Sequence, residues 1–235
     1  MAAPGEVMAV NRVRTIDEWV KVRTVLASVT DKSGLATLVR GLLTLNPQLT
    51  VLSTGGTFTA LDQALGSSRG CLRQVSDYTG QPEMQGGLVK TLDFKIYLGL
   101  LSETYNAAHA ADLARTGARA IDMVVVNLYP FEKTTAAVGS TLEDARANID
   151  IGGPCMVRAA AKNFHRVAVL VDPEDYAPTR EELSEHAGAL SLATRYRLAR
   201  KAFQLIARYD VAIAEYLTPT ALSEVPTLYE IRHGG

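Results

Sequence analysis

The chain has 235 residues, of which 47% are hydrophobic, and this is enough apolar material to bury the core of one large globular domain. The formal net charge of -1 gives no field that would attract nucleic acid or an anionic membrane, so we expect a small-molecule partner, with no nucleic acid and no membrane. Two cysteines are too few for a disulfide framework, no His/Cys spacing indicates a metal, and no run approaches the roughly twenty apolar residues that span a bilayer, so we expect a cytoplasmic protein.

Two strand-loop-helix units open the predicted domain. Residues 1–21 show no clear periodicity and are interpreted as an N-terminal extension. An apolar run at 24–29 predicts a buried strand, and apolar residues spaced by three and four over 35–43 predict the helix after it. The same order recurs from a strand at 50–52 into a helix that begins near residue 57. Two such units in succession favour a parallel sheet.

Strands and helices continue to alternate after these units. Further strands are predicted at 72–75, 121–126 and 167–171, and further helices at 107–116, from Thr141, and from Gly153-Pro154 to Asn163. The segment 77–89 is rich in Gly, Pro and polar residues and has no strong periodicity. Irregular segments of that length are often functional.

The longest predicted element is a helix over 191–217. Its apolar residues recur every three or four positions, with an interruption at Asp210: Leu192, Tyr196, Ala199, Phe203, Ile206, Ile213 and Leu217. We expect this stripe to pack against its own domain or a sister subunit, in preference to a cofactor or a membrane. The predicted domain therefore spans 22–217, and a weakly patterned C-terminal tail follows at 218–235.

Two neighbouring strands are followed by loops that suit a phosphate group. One loop stands between a strand and a helix and consists of Ser53, Thr54, Gly55, Gly56 and Thr57. It offers close approach to the backbone, hydroxyl donors, and the unpaired amides of a helix N-terminus. The alternative is a tight turn without a ligand. Ser28, Thr30 and Lys32 leave the adjacent strand in the same direction, which favours a shared phosphate site.

Four further polar residues have both a chemical and a structural interpretation. Tyr129 follows the strand at 121–126 and is either a site residue or a packed turn aromatic. Asp150 precedes a helix and is either an acid/base group or a helix cap. Lys90 follows a glycine-rich segment, where it either points at a ligand oxygen or is a solvated surface lysine. Lys162, near a helix C-terminus, is expected there on dipole grounds alone.

In their order along the chain, these segments resemble the N-terminal cyclohydrolase domain of the bifunctional purine-biosynthesis enzyme, IMP cyclohydrolase, within the methylglyoxal-synthase-like fold group. The similarity covers roughly 22–217 and is carried by blocks at 28–34, 53–57, 75–80 with 82–84, 89–92, 126–131, 148–154 and 158–163. The resemblance implies an α/β fold, with a three-layer Rossmann-like parallel sheet of the methylglyoxal-synthase-like type and an additional long C-terminal helix.

The resemblance also implies an activity, namely closure of 5-formamidoimidazole-4-carboxamide ribotide to inosine monophosphate with loss of water and no cofactor or metal. The carboxamide nitrogen loses a proton as it attacks the formyl carbon, and the formyl oxygen becomes an oxyanion that leaves after protonation. An acid/base group and an electrophilic partner are therefore required. The implied catalytic set is Lys90, Tyr129, Asp150 and Lys162, with Asp150 the candidate base and Lys90 the candidate oxyanion partner.

The remaining residues of the matching blocks are implied as contacts of a purine ribotide. These are Ser28, Thr30, Lys32, Ser53, Thr54, Gly55, Gly56, Thr57, Thr91, Asn127, Leu128, Ile151, Gly152 and Gly153. One geometric difficulty accompanies this set. A continuous helix from Pro154 to Lys162 rises about 1.5 Å per residue and separates Asp150 from Lys162. Either that helix is short or bent, or one of the two residues lies at the rim.

The chain departs from the family pattern beside Lys90. The family's arginine, His-Pro pair and further histidine are replaced here by Leu88, Asp93-Phe94 and Tyr97, with Tyr97 a candidate donor in place of a histidine. A non-catalytic module of the same fold that senses purine ribotides is therefore the alternative interpretation. Methylglyoxal synthase is a third, although nothing after residue 57 indicates a triose-phosphate site.

Two partners follow from the same comparison with the family. The family's enzyme commonly continues into a formyl-transfer domain, whereas this chain ends soon after Leu217. We therefore expect a separate formyl-transferring enzyme as a pathway neighbour. We also expect a homodimer formed through the long helix.

Overall fold

The computed structural model describes residues 12–82 and 90–232. Its main sheet has five parallel strands: β2 (Thr24–Val29), β3 (Thr50–Ser53), β4 (Leu72–Gln74), β5 (Met123–Asn127) and β6 (Ala168–Leu170). Their order across the sheet is β4-β3-β2-β5-β6. Two short strands, β1 (Trp19–Lys21) and β7 (Ala189–Ser191), pair antiparallel beside it. The predicted parallel sheet is confirmed.

The helices in the described ranges cover both faces of this sheet. They are α1 (Leu35–Leu45), α2 (Gly55–Leu65), α3 (Val75–Thr79), α4 (Phe94–Leu101), α5 (Ala107–Thr116), α6 (Phe131–Thr135), α7 (Leu142–Ala147), α8 (Gly152–Lys162), α9 (Tyr176–Glu185), α10 (Leu192–Leu217) and α11 (Val225–Leu228). Short 3₁₀ turns lie at Gly66–Cys71, Pro173–Asp175 and Leu222–Glu224. None of these helices is both long and apolar enough to cross a membrane.

The alternation of side chains along the strands explains the three layers. In β5, Met123 and Val125 pack into the core formed with α1 and α9, whereas Val124 and Val126 pack into the core formed with α4, α8 and α10. Both faces are buried, so the strands are continuous apolar runs, as expected for a parallel sheet covered by helices. The predicted three-layer α/β architecture is confirmed.

The strand order brings the carboxyl ends of the central strands together. Val29 at the end of β2 pairs with Asn127 at the end of β5, and Ala27 pairs with Ser53 at the end of β3. The chain adds β3 and β4 on one side of β2 and later places β5 and β6 on the other side. This reversal is a topological switch point, where open α/β sheets leave a crevice for ligands.

The long helix differs from its prediction in one respect. It runs without a break through Asp210, and only part of the predicted stripe is buried. Ala199 and Ile206 pack into the core, whereas Tyr196 and Phe203 are 50% and 41% exposed. The buried face also includes residues outside the stripe, because α10 packs on α8 and β6 together. Part of the predicted stripe therefore packs against the protein's own domain, as expected, and packing of its exposed residues on a sister subunit stays a prediction.

Candidate functional site

A cavity of about 680 Å³ opens at the carboxyl edge of the sheet. Its walls are the loops that follow β2, β3 and β5, the first turns of α2 and α8, and the pair Lys90-Thr91. Its position is therefore at the switch point between β2 and β5. The glycine-rich part of the segment before Lys90, including Leu88, lies outside the described residues.

One end of the cavity is built for an anion by the start of α2. Gly55 has a left-handed backbone with φ of 47°, and a Cβ placed on it would lie 3.1 Å from Lys90 Nζ. A Cβ on Gly56 would lie 3.9 Å from Lys32 Cε. The first amides of a helix have no intrahelical acceptor. Two lysines and a helix N-terminus thus surround a pair of glycines, an arrangement that suits a phosphate group.

Hydroxyl groups tie the two anion-side loops together. Thr57 Oγ1 accepts from the Val29 amide at 2.9 Å and donates to the Val29 carbonyl at 3.0 Å. Ser53 is fully buried, and its Oγ donates to the Ala27 carbonyl at 2.9 Å. Ser28 Oγ and Thr54 Oγ1 lie 3.3 Å apart. Ser28, Thr54 and Thr57 line the cavity, whereas Ser53 does not.

Asn127 fixes the loop that carries Lys32. Its Oδ1 accepts from the Thr30 amide at 2.6 Å, the Thr30 hydroxyl at 2.7 Å and the Asp31 amide at 2.9 Å. Its Nδ2 donates to the Asp31 carbonyl at 3.0 Å. The Thr30 hydroxyl also lies 3.1 Å from the carbonyl of Leu128, whose residue does not line the cavity. The polar atoms of Asn127 are therefore engaged in shaping the loop.

Asp150 lines the same cavity from the start of α8. Asp150 Oδ1 accepts from the Gly153 amide at 2.9 Å. Burial raises the pKa of Asp150, while the amides of Gly153 and Gly152 act in the other direction. The carboxylate therefore caps the helix and lines the cavity at once, so the two interpretations of Asp150 are compatible.

Two glycines allow the groups around Asp150 to approach α8 closely. A Cβ on Gly153 would lie 2.3 Å from Asp150 Oδ2 and 2.8 Å from Leu128 Cδ2. A Cβ on Gly152 would lie 2.9 Å from Thr91 Oγ1. Lys90 lies against Gly55 and Thr91 lies against Gly152, so adjacent residues of one segment contact the starts of both α2 and α8.

The predicted catalytic residues do not all lie in this cavity. Lys90, Tyr129 and Asp150 line it, and Tyr129 is 55% exposed, as is Ile151 at 56%. Lys162 is exposed in the last turn of α8, outside the lining. The helix is continuous, so about 15 Å along its axis separates Lys162 from Gly152. The predicted residues outside the lining are thus Ser53, Leu128 and Lys162.

Three of the substitutions next to Lys90 lie among the described residues, namely Asp93, Phe94 and Tyr97. Asp93 caps α4 by accepting from the Lys95 amide at 2.7 Å. Phe94 is 63% exposed. The Tyr97 hydroxyl is buried without a hydrogen bond from any described residue, and burial raises its pKa. Asp93, Phe94 and Tyr97 are all absent from the lining.

Several residues of the site were not predicted. Pro130, Asn148, Ile149 and Met156 also line the cavity, and all but Met156 belong to the matching sequence blocks. Tyr209 contacts the Asp150 backbone from α10, and no local pattern marked it because the two residues are 59 positions apart. Within the described ranges, no three His, Cys, Asp or Glu side chains are placed to hold a metal ion.

Curated proteins with similar sequences include bifunctional enzymes of purine biosynthesis. PurH of Acidithiobacillus ferrooxidans, described as "Bifunctional purine biosynthesis protein PurH", is 46% identical over 198 residues, which are 84% of this chain and 37% of the relative. PurH of Xanthomonas campestris pv. campestris is 47% identical over 212 residues, 89% of this chain and 39% of the relative. The chain thus spans little more than a third of these relatives.

A solved structure and two family models match as well. The crystal structure of ForH has a TM-score of 0.67 and 33% identity, and the match covers 83% of this chain and 98% of that chain. A family model described as "AICARFT/IMPCHase bienzyme" matches residues 160–233, and one described as "MGS-like domain" matches residues 34–155. The match to the MGS-like domain covers more than half of the length of this chain. The chain therefore belongs to the family of MGS-like domains.

Proposed function

We propose that this chain is an enzyme of purine biosynthesis that closes 5-formamidoimidazole-4-carboxamide ribotide to inosine monophosphate with loss of water. The observation that carries the proposal is the cavity itself, which is lined by two lysines beside Gly55-Gly56 and by a half-buried carboxylate, Asp150, at the start of α8. A nucleotide has a counterpart for each, a phosphate and a base. The bifunctional PurH relatives support this proposal.

The proposed reaction needs few groups because the nucleophile and the electrophile belong to one molecule. The phosphate binds between Lys32 and the start of α2, and the base extends towards Asp150. Asp150 takes one proton of the carboxamide nitrogen as that nitrogen attacks the formyl carbon, and Lys90 stabilises the formyl oxygen as it becomes an oxyanion. The oxygen leaves as water after gaining two protons, which balance the one lost by the carboxamide nitrogen and the one lost by the formamide nitrogen as its C=N bond forms. Proton transfer typically contributes about 10²–10⁴-fold, and an oxyanion donor about 2.7–4 kcal/mol. Orientation of the two reacting groups supplies the remaining part of the rate acceleration.

Two of the predicted catalytic residues receive more limited roles. Tyr129 is exposed at the cavity wall, where its hydroxyl can donate to the departing oxygen. Lys162 lies in the last turn of α8, where its positive charge interacts favourably with the helix dipole. In our proposal Lys162 takes no part in chemistry in the cavity of its own subunit.

The proposal includes two partners, as the sequence suggested. A separate formyl-transferring enzyme supplies the formylated ribotide. A second copy of the chain packs on the exposed apolar residues of α10, which are Tyr196, Phe203, Val211 and Leu217. The cytoplasm, where the small-molecule substrate is made, is the proposed location.

The test is turnover of the formylated carboxamide ribotide by the purified chain, followed as formation of inosine monophosphate. We expect turnover, and we expect Lys32→Ala to raise KM by about ten- to a hundredfold through loss of a charge-assisted contact. Lys21→Ala, an exposed lysine on β1, is the matched control. Tight binding of inosine monophosphate without any turnover would instead support the sensing module.

A further inference from the structure

A buried tyrosine outside the cavity holds the main chain of the loop that carries Asp150. Tyr209 lies on α10, and its residue is only 8% exposed. The Asp150 amide donates to the Tyr209 hydroxyl at 2.8 Å, and that hydroxyl lies 3.5 Å from the Asn148 carbonyl, towards which it donates. Both partners are backbone atoms. The contact therefore fixes the position of the Asp150 backbone and leaves its carboxylate to the cavity.

The ring of the same tyrosine packs against the first residue of α6, which follows Tyr129-Pro130. It packs edge-on against Phe131, with the ring centroids 6.2 Å apart. Phe131 is 2% exposed and follows Tyr129-Pro130, and its amide donates to the Tyr129 carbonyl at 2.9 Å. One side chain of α10 therefore contacts the loop of Asp150 through its hydroxyl and the loop of Tyr129 through its ring.

The hydroxyl is suited to this double contact. Burial raises the pKa of Tyr209, so at neutral pH the hydroxyl keeps its proton and can accept and donate at the same time. A phenylalanine at this position would fill the same space but leave the partly buried Asp150 amide without this acceptor. An unsatisfied buried donor favours rearrangement of the loop.

We propose that Tyr209 is a positioning residue that keeps the carboxylate of Asp150 at the place where the substrate reacts. This inference rests on the proposed cyclohydrolase function. Tyr209 does not line the cavity and acts through the backbone of residues 148–150. Its contribution therefore belongs to the chemical step. The phosphate end of the cavity, at Gly55-Gly56, is formed by other elements.

The test compares Tyr209→Phe with Tyr216→Phe in the full chain. Tyr216 is a matched control because it lies on the same helix and also packs edge-on against Phe131, with centroids 5.8 Å apart. We expect Tyr209→Phe to lower kcat by about ten- to a hundredfold, because small displacements at a reacting group have effects of that size. We expect KM to stay close to its original value. Tyr216→Phe should behave like the parent chain.

A double variant separates positioning from a general effect on the fold. If Tyr209 acts through Asp150, adding Tyr209→Phe to Asp150→Asn should cause little further loss of kcat. Equal losses in both backgrounds would overturn the inference. The acidic limb of the pH profile adds a second readout, since a loosened, more hydrated Asp150 should have a lower pKa in Tyr209→Phe than in the parent chain.

Hydrogen exchange at the Asp150 amide tests the role of Tyr209 independently of the proposed enzymatic activity. The Asp150 amide should exchange faster in Tyr209→Phe than in the parent chain or in Tyr216→Phe, whether or not the chain turns over substrate. Faster exchange in a chain without turnover would refute the cyclohydrolase proposal and retain the contact as a loop clamp. Unchanged exchange, with unchanged kcat, would overturn the role of Tyr209.

Discussion

The carboxylate of Asp150 both caps α8 and lines the cavity. The sequence indicated a cap and an acid/base group as alternatives, and the structure shows that the cap contact to Gly153 leaves the group among the lining residues. Burial of that carboxylate raises its pKa, which suits a base that must also release its proton. The two interpretations therefore have to be separated by measuring activity and stability together.

Replacing Asp150 by asparagine should separate them. Asparagine can still accept from the Gly153 amide through its Oδ1, so the thermal midpoint should change little. It cannot take a proton, so kcat should fall by about 10²–10⁴-fold. Asp150→Ala is the control for the cap and should also lose about 1 kcal/mol of stability. Turnover retained in Asp150→Asn would mean that the carboxylate is only a cap.

The raised pKa of Asp150 predicts opposite pH trends for activity and stability. As a base, Asp150 must be ionised, so kcat/KM should fall as pH decreases through a pKa above the ordinary 3.8. The native state holds that proton more tightly than the unfolded chain does. Its contribution to the free energy of unfolding should therefore decrease as pH rises from about 3.8 through the raised value. Urea unfolding across this range, with Asp150→Asn as the control, would contradict the account if the two proteins showed the same pH dependence.

Many residues of the site could be predicted because they lie in short, recognisable sequence blocks. Gly55-Gly56 and Asp150 with Gly152-Gly153 lie next to strand ends or helix starts, where local pattern is informative. Asn127 was predicted as a substrate contact, but its amide is engaged by the loop after β2. Such contacts depend on which strands are neighbours, and no local pattern contains that information.

The start of α8 shows why an element can tolerate only certain residues. Gly153→Ala would place a methyl group 2.3 Å from Asp150 Oδ2, so the carboxylate or the helix has to move. We expect a loss of about 1–3 kcal/mol in the free energy of unfolding and a marked loss of kcat. Gly70→Ala is a suitable control because a Cβ there meets no atom within 4 Å. Normal activity in Gly153→Ala would contradict the described geometry of the helix start.

Elements marked by an apolar run or by regular spacing were predictable, even where they are short. Strands β2, β5 and β6 lie in apolar runs, and α1 shows regular spacing, so their approximate positions were predicted. Strands β1 and β7 were not predicted, because neither three-residue strand lies in a longer apolar run. On α10, the spacing predicted the helix but could not decide which of two apolar faces is buried, because that depends on where α8 and β6 lie.

The exposed face of α10 gives a prediction about the whole molecule. Tyr196, Phe203 and Val211 are 50%, 41% and 53% exposed on this helix. If a second copy covers them, the chain should sediment as a dimer, and Phe203→Asp should shift it towards the monomer. Val138→Asp, at a fully exposed position between α6 and α7, controls for the added charge. A monomeric parent chain in sedimentation would refute the dimer.

The sheet order is a property of the whole molecule that local pattern does not contain. Alternating strands and helices predicted a parallel sheet, but the order β4-β3-β2-β5-β6 follows from which crossovers pack against which face. That order creates the crevice at the carboxyl ends of β2 and β5, and Lys32, Gly55 and Asp150 all line the cavity there. Lys162 could not be placed from sequence, because its distance from Asp150 depends on whether α8 is straight.

We propose that one nucleotide extends from Gly55-Gly56 to Asp150 in this cavity, and a crystal structure of the chain with inosine monophosphate would test that arrangement. The account predicts the phosphate at the amides of Gly55-Gly56 beside Lys32, with the purine ring adjacent to Asp150. A nucleotide bound elsewhere, or with its base turned away from Asp150, would contradict the account.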